Sequence, residues 1–334
     1  MRRTRIKEAG EAYYHVISRV VDRRFVFTDD EKERYCLLLR KVEAFSGVRV
    51  LTHSAMDNHT HELLHVPERR PVPEEEVIER MAHLYPPTEV RKTTQLLKAL
   101  RQSGNATAAE AILETFRLRM FNLSEFEKTL KQRITQSYNR RHGRKGTLWE
   151  ERFKSVLVEG SGDALATVAA YIDLNPVRAG IVSDPKDYRF SGYGEACGGN
   201  ARAREGLQHI VSSMGECSAW EDVASRYRTL LYVGGEEEGL AEDGRAIRPG
   251  FSDEQIQKVL DVRGKLPKAV ILRCRVRYFS DGVVLGSRRY VDDIFHRHRH
   301  QFGAKRQSGP RSMRGADWGD LYTVRRLQLA PITL

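Results

Sequence analysis

The chain has 334 residues, with 56 Lys and Arg against 45 Asp and Glu, a formal net charge of +11 and a pI near 9.5. That length suggests about two domains, and the basic balance favours a polyanionic partner, nucleic acid first. No stretch approaches the roughly 18 consecutive apolar residues of a membrane span, which argues against a membrane protein. The opening MRRTRIK is followed by no apolar h-region, so a cytoplasmic, nucleoid-associated protein is expected. Cys36, Cys197, Cys217 and Cys274 are widely scattered and fit neither a zinc spacing nor a disulfide framework.

In chain order, Tyr14–Val20 alternates apolar and polar residues and reads as a first strand. Thr28-Asp-Asp-Glu31 has capping-box form, and the helix it opens carries Tyr35, Leu38, Leu39, Val42 and Phe45 at helical spacing before Gly47 stops it. Two β-branched runs, Val48–Met56 and His59–Val66, flank Asp57-Asn58 and predict a hairpin. Strand, helix, strand, strand begins a split βαβ arrangement. From Pro67 to about Met120 the chain turns polar and helical and reads as an insertion. Ser124-Glu-Phe-Glu127 then caps a helix running to Tyr138, which leads into the basic loop NRRHGRKG. Arg152–Val158 predicts a fourth strand, and Ala164–Leu174 a helix that ends before Pro176.

On a strand, His59 and His61 point to one face and present two imidazoles side by side, half of a metal site or two solvated histidines. On the helix, Tyr171 and Asn175 are four apart and share a face. They can equally be a core aromatic and a helix C-cap. In a split βαβ topology this helix packs on the strand that carries the histidines. The constellation suits phosphoryl transfer, with a metal polarising the phosphate and a tyrosine attacking phosphorus. Arg140, Arg141, Arg144 and Lys145 on the basic loop, with Arg152 and Lys154 on the next strand, are candidate phosphate contacts. Tyr138 is a competing nucleophile without an amide or acid partner four residues on.

Five segments, YHVISRV, NHTHELLHV, RKGTLWEERFKS, YIDLNPVRAGIV and DYRFSGYGE, occur in this order within residues 10–195. Together they resemble the HUH single-tyrosine transposases, in particular the REP-associated tyrosine transposase branch of the IS200-like transposase family. The resemblance implies a Tyr171 nucleophile and a metal site of His59, His61 and Asn175 holding Mg2+ or Mn2+. It further implies cleavage and rejoining of single-stranded DNA beside hairpins or palindromes through a 5′-phosphotyrosine. Imidazole alone suits manganese, zinc or nickel better than magnesium. Two positions depart from the family pattern: Thr60 stands where a bulky apolar residue is usual, and Asp57 where proline is common.

The expected fold is α/β, a ferredoxin-like (split βαβ) antiparallel sheet with helices, plus a helical C-terminal accessory domain. Residues 1–198 would be catalytic with the insertion at about 67–120, 199–250 a linker region with an acidic stretch at Gly234–Gly244, and 251–334 a basic, helix-turn-helix-like DNA-binding part with Ser287 as a helix cap. The expected partner is single-stranded or hairpin DNA, bound by a monomer or a homodimer. A catalytically silent hairpin-DNA-binding regulator is the alternative.

Overall fold

The computed structural model describes residues 5–217, 219–232, 272, 276–325 and 327. β1 (Ala12–Arg19) is followed by α1 (Asp29–Ser46) and the hairpin of β2 (Arg49–Ala55) and β3 (His59–Val66). β3 lies between β1 and β2 and is antiparallel to both, so β1-α1-β2 is a split βαβ unit. Three acidic residues in its first turn complement the α1 dipole, and Gly47, at φ +73°, ends the helix in the left-handed region. A Cβ at Gly47 would lie 2.5 Å from a Phe121 ring carbon, so position 47 needs glycine for space as well as for φ.

The insertion forms α2 (Glu74–Leu84), α3 (Pro87–Gln102) and α4 (Ala106–Arg117), and the chain returns through α5 (Leu123–Arg141) to β4 (Lys154–Val158). α1 and α5 cover one face of the sheet, where Val16, Leu39, Val42, Phe45, Leu64, Phe126 and Leu130 share a core. Each such side chain contributes about 1.5–3 kcal/mol by leaving water. The opposite face is covered by α6 (Asp163–Asp173), with α8 (Gly192–Cys197), α9 (Ala201–Ser212) and α10 (Trp220–Tyr232) around it. This second core gathers Leu51, Leu63, Val156, most of α6 and Tyr227. Between α6 and α8 runs the one-turn α7 (Asn175–Arg178).

The sheet has seven strands in the order β2-β3-β1-β4-β5-β7-β6. Its first four are the expected ferredoxin-like set. β5 (Val284–Ser287), β6 (Arg311–Ser312) and β7 (Leu321–Val324) come from the C-terminal third, and β5 pairs parallel to β4. Short helices α11 (Arg277–Asp281) and α12 (Arg288–Arg297) flank β5. The expected helical C-terminal part therefore also supplies strands, which complete the hydrogen bonding of the β4 edge. Its β-stretches, four residues at most, are too short to show a period in sequence.

Other expectations shift locally. Asn122, not Ser124, caps α5, accepting hydrogen bonds from the Ser124 and Glu125 amides. Thr28 makes no side-chain cap, and Glu31 pairs instead with Arg141 and His142. Ser287 caps α12 as expected. Residues 201–212 and 220–232 of the expected linker region are helical, while the acidic stretch 234–244 and Cys274 lie outside the described residues.

Candidate active site

Alternation along β3 turns Leu64 into the α1 core and Leu63 toward α6, and His59 and His61 lie on the Leu63 side. On β1, Arg19 stands opposite His59, Ile17 opposite His61 and His15 opposite Leu63. α6 lies across these rows and brings Tyr171, whose ring meets those of His15 and His61 edge-on, both at 6.2 Å between centroids. Phe279 of α11 packs against the same tyrosine at 4.7 Å. The result is a cavity of about 370 Å³ lined by His59, His61, Tyr171 and Asn175 together with Arg19, Arg23, Arg178 and Ser280. The four residues singled out by sequence as nucleophile and metal ligands thus border one cavity.

Among the described residues no Asp or Glu lines that cavity, while three arginines do. Such a set attracts a phosphate more readily than a bare cation. Burial, reinforced by His15, His59, Arg178 and Arg19, holds the pKa of His61 well below its usual value, so the imidazole is neutral. His15, buried completely, is lowered to about 3 by desolvation, against the Phe279 carbonyl that raises it and with Arg178 lowering it further. A neutral imidazole is a metal ligand, and two histidines beside an amide oxygen fit a divalent ion.

Asn175 is held from α7. Its Oδ1 accepts a hydrogen bond from Arg178 Nη2 at 2.6 Å, and its buried Nδ2 has no hydrogen-bond partner among the described residues. An amide oxygen has a second lone pair, which is the one a metal would use. The unpaired Nδ2 is a buried donor, a costly thing to leave unmatched unless a ligand accepts from it.

Arg178 was not singled out as a site residue from the sequence, although it lies in the NPVRAG run. Arg19, Arg23 and Ser280 were also missed. The first two look like any strand-flanking basic residue, and Ser280 reaches the site only through the β4–β5 pairing. Arg140, Arg141, Arg144, Lys145, Arg152 and Lys154 do not line the cavity. Arg141 is bound to Glu31 and Ser137, and Arg144 lies over the Tyr138 ring. Lys154, opposite Ile17, stands in the same row as His61, two strands away. Tyr138 belongs to the core on the α1 side of the sheet, stacked on His142, so the sheet separates it from the histidine pair.

A second group of ligand-type atoms lies elsewhere: Cys36 on α1, His53 on β2 and Glu195 on α8 offer atoms within 4.8 Å of one another. Desolvation by burial raises the Cys36 thiol strongly, and Glu195 is bound by Arg40 at 2.6 Å. These groups are stable as a protonated thiol beside a neutral imidazole and a neutralised carboxylate. Among the described residues no helix is long and apolar enough to cross a membrane.

Fold and cavity define a class: a ferredoxin-like sheet protein with an H-x-H strand facing a helical tyrosine. Residues 9–85, from just before β1 to the end of α2, match the family described as Transposase IS200 like. The chain is similar to IS200-like transposases over that segment, which holds His59 and His61 but not Tyr171 or Asn175. Among solved structures, a REP-associated tyrosine transposase bound to a REP hairpin aligns with 58% of this chain and 82% of its own, at 16% identity and a TM-score of 0.32. No curated protein matches the sequence.

Proposed function

We propose that the protein is a metal-dependent DNA strand transferase that cleaves and rejoins single-stranded DNA beside hairpins, with Tyr171 as nucleophile. The observation that carries this reading is the meeting of His59, His61, Tyr171 and Asn175 around one carboxylate-free, arginine-lined cavity. Similarity to IS200-like transposases over β1 to α2 supports it.

In this reading Arg19 and Arg23 receive the phosphate, since a guanidinium pairs with two of its oxygens at once, and Arg178, held by protein acceptors, adds its charge beside them. Tyr171 Oη bonds to phosphorus as the bond from phosphorus to the 3′ oxygen breaks. The phenolic proton leaves to solvent, the departing oxygen takes a proton, and a 5′-phosphotyrosine and a free 3′-hydroxyl remain. His59, His61 and Asn175 would hold Mg2+ or Mn2+, which when bound supplies positive charge to the phosphate oxygens. The retained ester makes rejoining possible without a nucleotide cofactor. Arg140, Arg141, Arg144, Lys145, Arg152 and Lys154 would track the flanking strand or hairpin stem.

The test is incubation with end-labelled hairpin oligonucleotides carrying single-stranded flanks, with manganese or chelator. Cleavage that needs the metal and leaves a 3′-hydroxyl fragment supports the proposal. Binding without cleavage under Mg2+ and Mn2+ alike would favour a DNA-binding regulator instead.

A further inference from the structure

His61 does not stand alone behind the cavity. Its Nδ1 lies 2.8 Å from Nε2 of His15, and Nδ1 of His15 lies 2.9 Å from the main-chain oxygen of Phe279. A carbonyl oxygen only accepts, so His15 carries its hydrogen on Nδ1. His15 is completely buried, and its hydrogen-bond partners among the described residues are a carbonyl oxygen and an imidazole rather than a carboxylate, a setting for an uncharged ring, so its Nε2 is an acceptor. His61 must then donate from Nδ1, and its lone pair is left on Nε2.

His59 has a parallel arrangement. Asn58 Nδ2 donates to the Arg23 carbonyl at 3.1 Å, which orients the amide so that its Oδ1 faces His59 Nδ1 at 2.7 Å. An amide oxygen cannot donate, so His59 also carries its hydrogen on Nδ1. Two independent chains, each anchored at a main-chain carbonyl, give both histidines the same tautomer.

We propose that His15 and Asn58 are positioning residues that lock His61 and His59 as Nδ1–H tautomers, so that the Nε2 of each ring is the unprotonated ligand atom for one divalent cation. The inference rests on the metal role of the two histidines in the proposed function. It adds the groups that set their orientation and basicity, a task that outer partners of metal-bound histidines commonly perform. It also gives the C-terminal third a part in the site, because the Phe279 carbonyl belongs to α11 rather than to the split βαβ unit.

The experiment has two readouts on the full-length protein. Ring 15N shifts of the metal-free wild type report the tautomers directly, and both His59 and His61 are expected as Nδ1–H. Titration with Mn2+ in the presence of hairpin oligonucleotide then compares wild type with His15→Phe, His15→Gln and Asn58→Leu. His15→Phe is expected to release the His61 tautomer and weaken Mn2+ binding by about 10–100-fold. Asn58→Leu is expected to do the same through His59. His15→Gln, whose amide can donate to Phe279 and accept from His61, is expected to restore the tautomer and most of the affinity. A wild-type His61 carrying its hydrogen on Nε2 would overturn the proposal even if no variant folds, as would unchanged tautomer and affinity in His15→Phe. Wild type that shows both tautomers as assigned yet binds no Mn2+ would instead remove the metal, and with it the proposed function, while the tautomer assignment stands.

Discussion

The guanidinium of Arg178 lies over the ring of Tyr171, 4.0 Å from its centroid, and donates a hydrogen bond to the Tyr171 carbonyl at 2.7 Å. The same side chain binds Asn175 Oδ1 and the Leu272 carbonyl. One arginine therefore ties the candidate nucleophile, the candidate amide ligand and the C-terminal segment together, and places a fixed positive charge beside the phenol.

Arg178→Ala should lower strand cleavage by about 10–100-fold, roughly the cost of losing a fixed positive charge beside the reacting phosphate. Arg178→Lys should recover little, because an ammonium can neither stack on the ring nor bridge three acceptors in a plane. Single-turnover cleavage at saturating oligonucleotide separates this loss from weaker binding. Equal rates for all three proteins would remove Arg178 from the site chemistry.

Metal binding should depend on DNA. A cavity with three arginines and no carboxylate holds a cation weakly until a phosphate enters, so Mn2+ affinity should rise at least about 10-fold with hairpin oligonucleotide bound, and oligonucleotide affinity should rise by the same factor with Mn2+. Calorimetric titrations in both orders measure the two factors. Tight binding of Mn2+ to the DNA-free protein that His59→Ala and His61→Ala leave intact would contradict this and point to another group.

Asp173, two residues beyond Tyr171, is completely buried and anchors α6 by accepting hydrogen bonds from Thr52 Oγ, the Tyr193 amide and the Tyr227 hydroxyl. Desolvation outweighs those three bonds and pushes its pKa up to about 7. A carboxyl whose folded pKa lies above its unfolded value gives stability that is full below the unfolded pKa, near 4, and is lost as pH rises through about 7. Asp173→Asn should therefore gain stability relative to wild type as pH rises from 4 to 7, by an amount on the order of a few kcal/mol. Urea midpoints of both proteins across that range test the sign. A constant difference would mean that Asp173 does not titrate there.

Gly206 on α9 lies against the β2 bulge, where a Cβ would stand 2.3 Å from the Leu51 carbonyl oxygen. Gly206→Ala should cost about 1–3 kcal/mol, the usual penalty of overpacking a contact that cannot move aside. A thermal melt reads it, with Gly104→Ala, which meets nothing within 4 Å but stands at φ +75°, separating backbone strain from collision.

Much of the fold was legible because its signals are local. The β1–β3 unit and α2 follow from alternation and helical spacing, and the two site pairs from strand and helix periods, whereas α6 stops at Asp173 and Asn175 with Pro176 opens the turn of α7 instead of standing outside a helix. The proposed metal-ligand and nucleophile roles rest on the resemblance of five ordered segments to one family. What stayed hidden depends on contacts between distant segments. Nothing in residues 284–287 announces a strand that will pair with β4, so neither the Phe279 carbonyl behind His15 nor Ser280 at the cavity could be foreseen. The basic loop drew attention through charge density alone, yet the arginines that line the cavity are the isolated Arg19, Arg23 and Arg178. Charge density in sequence says where phosphate can be met, and the register of β1 on β3 says which arginine meets it beside the histidines.

The central claim is that Tyr171 becomes covalently joined to DNA. Intact-protein mass and peptide mapping after incubation with single-stranded hairpin oligonucleotides and manganese test it most directly. The account predicts a metal-dependent adduct on Tyr171, absent in Tyr171→Phe and lost with His61→Ala, while hairpin binding by Tyr171→Phe persists. An adduct on Tyr138, on the far side of the sheet, or an adduct that survives Tyr171→Phe, would contradict it.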